Sequence, residues 1–172
     1  MDYYSVIVGV LSSLVASLLF LMFLFTLRPN IAIGDCIAKT HEDGKPVYLI
    51  KVINKTWGRI YDVHAQVVHI KFENVNGGQN VYSKPLTLLK SHIWSVNRIK
   101  NKLNDPNAEF AILFVCTDDL ESIWINETMI EFRVMAKHSF SGFSKIHKRR
   151  FYKKKSTVKE GSFKFGNSFD ID

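Results

Sequence analysis

Lys145, His147, Lys148, Arg149, Arg150, Lys153, Lys154, Lys155 and Lys159 crowd into one short stretch, with no acidic side chain before Glu160. Cations at this density neutralise phosphate oxygens, and Phe151 and Tyr152, set among them, offer ring faces on which nucleobases can stack. The stretch carries enough charge to account for the formal +7 of the whole chain. Three readings stay open. It is an edge strand kept soluble by its charge, a patch for anionic lipid headgroups, or a site for nucleic acid or a phosphorylated small ligand.

Other reactive side chains are scattered. His41, His64, His69, His92, His138 and His147 show no metal-ligand spacing, and neither Cys36 nor Cys116 lies in a zinc pattern. No Gly-rich phosphate loop, Gly-x-Ser-x-Gly or His-Glu-x-x-His occurs. No catalytic residue, metal or cofactor is therefore expected, and an enzyme is not the expected reading. Asp118 and Asp119 are neighbouring carboxylates, but Asp118-x-x-Glu121 imitates a capping box, with Leu120, Ile123 and Trp124 as a buried helical stripe. First-turn acids at a helix N-terminus then explain both without catalysis. Two widely separated thiols in apolar, strand-like surroundings read as buried free cysteines in a reducing compartment. Trp57, Trp94 and Trp124 read as core or interfacial anchors, although the polar setting of Trp94 would expose it.

The elements that must position these residues begin with a membrane anchor. Residues 5–27 form an unbroken apolar run without charge. As a helix they reach ~34 Å, enough to cross a ~30 Å hydrocarbon core with some tilt. A cleaved signal peptide would want a basic start and a small-residue cleavage site, and the run has neither. The expected division is a short extracytoplasmic N-terminus (1–4), a transmembrane helix (5–27), a linker (28–30) and one cytosolic domain (31–172). Lys and Arg are retained on the cytoplasmic side, and Arg28, Lys39 and Lys45 follow the run while none precede it. The expected location is thus the cell inner membrane, single-pass, with the C-terminal domain in the cytoplasm. The sequons Asn54-Lys55-Thr56 and Asn126-Glu127-Thr128 would matter only in the inverted orientation. Within the run, Gly9, Ser13 and Ser17, flanked by Ser12 and Ala16, make a small-residue face that lets membrane helices approach closely. A homo-oligomer is expected from it, against the plainer reading of a monomeric anchor.

The remainder alternates as strands. Segments 31–40, 47–54, 59–73, 81–89, one through Phe110, Ile112, Phe114 and Cys116, one through Ile130, Phe132, Val134 and Ala136, and 144–155 carry period-two patterning between turn signals. The end, Gly161-Ser162-Phe163-Lys164-Phe165-Gly166, gives one more short strand. A change of phase from Val67 to Ile70 suggests a bulge near Val68. The pattern predicts a mainly β fold, an antiparallel sandwich with one short helix, preceded by the single transmembrane helix.

Certain phrases resemble the cytoplasmic, immunoglobulin-like domain of inward-rectifier potassium channels. Lys51-Val52-Ile53-Asn54 through Asp62-Val63-His64-Ala65-Gln66-Val67 is similar to its early strand pair. The run from Met129 to Ala136, the strand at Phe151-Tyr152, and Phe163-Lys164-Phe165-Gly166-Asn167-Ser168-Phe169 are similar to its late strands and glycine turn. The chain departs from those channels in having neither a second span nor a Thr-Val-Gly-Tyr-Gly filter, so potassium selectivity is not carried over. The resemblance implies an immunoglobulin-like sandwich and assembly, as a tetramer, around a four-fold axis beneath the membrane.

In layout the chain is also similar to small membrane-anchored CRISPR and antiphage effectors that join a membrane helix to a receptor for a cyclic oligonucleotide. The expected function is an oligomeric effector or sensor of antiviral defence. Its cytosolic domain would bind an anionic ligand, such as a cyclic oligonucleotide second messenger or a lipid headgroup, and perturb the membrane. The alternative is a non-catalytic anchored scaffold that binds a protein partner or anionic lipid.

Overall fold

A computed structural model describes residues 3–97, 111–124, 128–153, 157–166 and 168–172. Phe110, Asn126, Glu127, Lys154, Lys155 and Asn167, all used in the sequence reading, lie outside the described residues. Helix α1 (Tyr3–Thr26) carries no charged side chain and has no buried residue. It is long and apolar enough to cross a membrane. It ends one residue earlier than expected: Leu27 is buried against the domain, and so is Pro29.

Ten strands and a short helix follow in the order β1 (Ile31–Ile33), β2 (Ile37–Glu42), β3 (Lys45–Asn54), β4 (Ile60–Val75), β5 (Gly78–Leu86), β6 (His92–Val96), β7 (Ala111–Cys116), α2 (Leu120–Ile123), β8 (Thr128–His138), β9 (Ser144–Tyr152) and β10 (Val158–Glu160). They build a two-sheet sandwich. In the first sheet β3 is central, with β7 on one side and β1 and β2, which continues to β10, on the other. In the second, β4 pairs with β5 and β6 along one edge and with β8 along the other, and β9 closes the sheet as its outer strand. Alternation puts Ile37, Tyr48, Ile50, Ile112 and Phe114 from the first sheet against Val63, Val67, Ile130, Phe132, Val134 and Phe151 from the second. Cys36 and Cys116 are buried and free, as expected.

Several local expectations are corrected. The segment 31–40 is two strands, interrupted at Gly34, where a Cβ would meet the Phe169 ring at 3.1 Å. The bulge lies at Asp62, not near Val68: the β4–β8 register shifts between Tyr61 and His64, and Asp62 sits at φ 50°. From His64 to Lys71 that register is continuous, so the apparent change of phase has another cause. Val67 faces the core while Val68 and Ile70 form a small apolar cluster with Met129 on the opposite face. Strand β6 has no counterpart in the sequence reading. The sandwich is not wholly antiparallel, because β10 runs parallel to β2, and Phe163 makes only an isolated bridge to Ile171. At α2 the cap is Asp119, not Asp118, and it accepts a bond from the Glu121 amide at 3.1 Å. Glu121 does not reach back to complete a capping box; its carboxylate holds Lys39 at 2.9 Å.

Candidate functional site

Strand β9 carries most of the basic run, and its position at the sheet edge follows from its sequence. A strand this charged is tolerated where one flank stays in water. Alternation then divides the run between two faces. Lys145, His147, Arg149 and Phe151 pair with Ala136, Val134, Phe132 and Ile130, whose side chains point to the core. Phe151 is 2 % exposed and belongs to that core, so it is not a platform for a base. Tyr152 is exposed. Lys145, Lys148, Arg149 and Lys153 are exposed as well. Lys159 lies on β10, in the other sheet.

Two members of the run are committed elsewhere. His147 is half-buried, and its Nε2 lies 3.0 Å from the Pro29 carbonyl oxygen. Burial pushes its pKa below the ordinary 6.5, against a smaller opposing effect of that bond. Arg150 pairs with Glu131 at 2.8 Å, and Arg133 pairs with the same carboxylate. Glu131 is only 2 % exposed; burial alone would raise its pKa, but the bonds from Arg150 and Arg133 outweigh it and hold the group ionised. The Glu131 bond raises the pKa of Arg150 in turn.

The start of β9 is joined to the end of α1. In the 139–143 turn, Ser141 donates to the Leu27 carbonyl at 2.8 Å, and the Phe143 ring stacks on Phe25 at 5.3 Å between centroids. Arg28 lies over both rings. Asn30 exchanges bonds with the Thr56 hydroxyl, and Lys55 donates to the Asn30 carbonyl at 2.9 Å. Residues 28–30 are thus a docked segment, not a free tether. On α1 itself, Gly9, Ser12, Ser13, Ala16 and Ser17 are all exposed within one chain, and Ser12 bonds back to the Val8 carbonyl at 2.8 Å.

The acidic pair near α2 is structural. Asp119 accepts from the Tyr48 hydroxyl at 2.9 Å, and Asp118 accepts from the Thr87 amide. Burial, then the Asp119 bond, pushes Tyr48 up to about 12. Burial likewise pushes the Cys116 thiol up to about 11, so it stays protonated near neutrality. Trp124 is buried, whereas Trp57 and Trp94 are exposed.

Sequence spacing missed one cluster on the outer face of the second sheet. His64 on β4 and His92 on β6 are register partners, 28 residues apart in sequence, and Asp62 at the bulge turns its carboxylate between them. The signal was non-local, so no motif could show it. Beside His64, a shallow cavity of about 220 Å³ is lined by Ala65, Gln66, Arg133, Met135 and Ile146. The outward half of β9, Ile146, Lys148 and Arg150, borders the same face.

No protein-family model matches the chain, and no curated protein matches it.

Proposed function

We propose that this chain is a single-pass membrane sensor whose β9 edge takes a phosphate-bearing anion and passes its occupancy to the span. One observation carries the reading: the strand that presents Lys145, Lys148 and Arg149, and leads directly into Lys153, also holds Pro29 through His147. A ligand that draws β9 outward, or stiffens it, acts directly on the segment that leaves α1. The phosphate is supplied by a soluble cyclic oligonucleotide or by a lipid headgroup. Burial of Phe151 removes one of the two expected stacking rings, so charge rather than base stacking sets affinity at this edge.

The proposed orientation places the domain in the cytoplasm beneath the inner membrane, supported by Arg28, Lys39 and Lys45 after the span. The buried Asn54 side-chain nitrogen lies within hydrogen-bond reach of the Gly58, Val96 and Asn97 carbonyls, so in the folded domain this sequon carries no weight for or against that orientation. Self-association through Gly9, Ser13 and Ser17, as a tetramer, would let neighbouring β9 edges share one polyanion.

The test is titration of the full chain in nanodiscs of zwitterionic lipid with cyclic oligoadenylate and with linear RNA, and in a separate arm with anionic lipid added to the disc. A Lys148→Glu, Arg149→Glu variant runs beside it. Saturable binding in one arm, lost in the variant, supports the sensor and names the source of the phosphate. Equal binding by the variant would show that β9 is only a solvated edge.

A further inference from the structure

We propose that Asp62, His64 and His92 form a binding site for one divalent transition-metal ion of the zinc class. The proposal is independent of the β9 reading. His64 Nε2 lies 2.8 Å and His92 Nε2 3.1 Å from the same oxygen, Asp62 Oδ1. All three ligand atoms fall within 4.8 Å of one another, and among the described residues this is the group of three with that geometry. Around zinc, nitrogen and oxygen ligands at ~2.0–2.1 Å stand about 3.3 Å apart in a tetrahedron. The two Asp62–His separations already lie within a few tenths of an ångström of that spacing, and the two imidazoles are exposed enough to adjust to it.

The fold fixes these groups. His64 and His92 face each other across the β4–β6 ladder, where directly opposed side chains stay in contact, and their rings stack at 4.4 Å. Asp62 reaches them because the bulge places it at positive φ, a conformation that Asp tolerates better than most residues. Lys137 holds the other carboxylate oxygen, Asp62 Oδ2, at 2.6 Å, which orients Oδ1 towards the imidazoles. Two imidazoles and one carboxylate suit zinc, copper or nickel, not calcium or magnesium. Three protein ligands leave at least one coordination position open, and the half-exposed cluster lets water or an external ligand fill it.

The experiment uses the full chain in detergent micelles after treatment with a chelator. Zn²⁺ is titrated calorimetrically into the wild type, His64→Ala, His92→Gln and Asp62→Asn, with His41→Ala as a surface-histidine control. Cu²⁺ quenching of Trp94, whose ring meets His92 edge-on at 6.4 Å, gives a second readout. Expected are one saturable Zn²⁺ site per chain, at least about tenfold weaker binding in each cluster variant, an unchanged control, and quenching that disappears in Trp94→Phe. Variants with the wild-type circular dichroism spectrum are the ones compared, and His92→Gln is chosen to keep the strand pairing intact. Absence of a saturable site, or equal affinity in His64→Ala and His92→Gln to that of the wild type, overturns the proposal.

Discussion

His147 Nε2 lies 3.0 Å from the Pro29 carbonyl oxygen, joining the middle of the basic edge strand to the segment between α1 and the sandwich. A carbonyl only accepts, so the ring carries its proton on Nε2. With Ser141 on Leu27 and Thr56 on Asn30, the exit of α1 is held at three points by the sandwich. A force on β9 is therefore a force on the end of the helix.

Removing that bond loosens the junction without dissolving the core. His147→Ala is expected to lower the unfolding free energy by about 1 kcal/mol, the net worth of a part-buried hydrogen bond. It should also speed amide exchange at Lys55, which donates to Asn30. Hydrogen exchange read by mass spectrometry checks the second point; unchanged protection at Lys55 would show that the junction is held without His147.

The same histidine gives a pH dependence with a fixed sign. Burial depresses the folded pKa of His147, and of His69, below the unfolded 6.5, so between the two values the unfolded chain binds more protons. Their contribution to stability is present above pH 6.5 and is lost as the pH falls through the depressed folded values. Denaturation midpoints measured between pH 8 and pH 5 should fall across that window, and less steeply in His147→Gln. An identical slope in the variant would remove His147 as a cause.

Glu131 holds both Arg133 and Arg150 on one carboxylate. Substituting Glu131→Gln leaves Arg133 and Arg150 without their shared carboxylate and should cost about 1–2 kcal/mol, since both arginines are partly exposed. Arg150→Glu sets two carboxylates side by side and should destabilise more. Chemical denaturation of both variants tests this, and a neutral result for Arg150→Glu would mean that Glu131 is neutralised by Arg133 alone.

The two-sheet fold was legible because buried strands such as that of Ile130, Phe132, Val134 and Ala136 alternate cleanly. Where both faces of a strand are covered, alternation misleads. Val67 and Val68 are both buried, one in the core and one under Met129, and this mimicked a bulge that lies six residues earlier at Asp62. The basic run was legible as charge, but not its division: strand pairing sends Phe151 inward and gives Arg150 to Glu131. His64 and His92 meet only through the β4–β6 ladder, which no local spacing encodes.

The small face of α1 makes a separate prediction. A Cβ at Gly9 would have no heavy atom within 4 Å, so a larger side chain there meets nothing in its own chain. Gly9→Leu or Ser13→Leu should leave the fold intact and weaken self-association by separating neighbouring helices. Crosslinking in membranes reads the change; unchanged ladders would assign assembly to the sandwich or leave α1 as a plain anchor.

An anion on β9 is proposed to act on α1 through His147 and Pro29. The distance between spin labels at Thr26 and at Ser83, in nanodiscs, with and without the ligand that saturates the wild type, reads that action directly. A ligand-dependent change in the distance distribution is expected, absent in Lys148→Glu, Arg149→Glu and reduced in His147→Ala. A ligand that binds with wild-type affinity while the distribution stays fixed, or shifts equally in all three proteins, would contradict it.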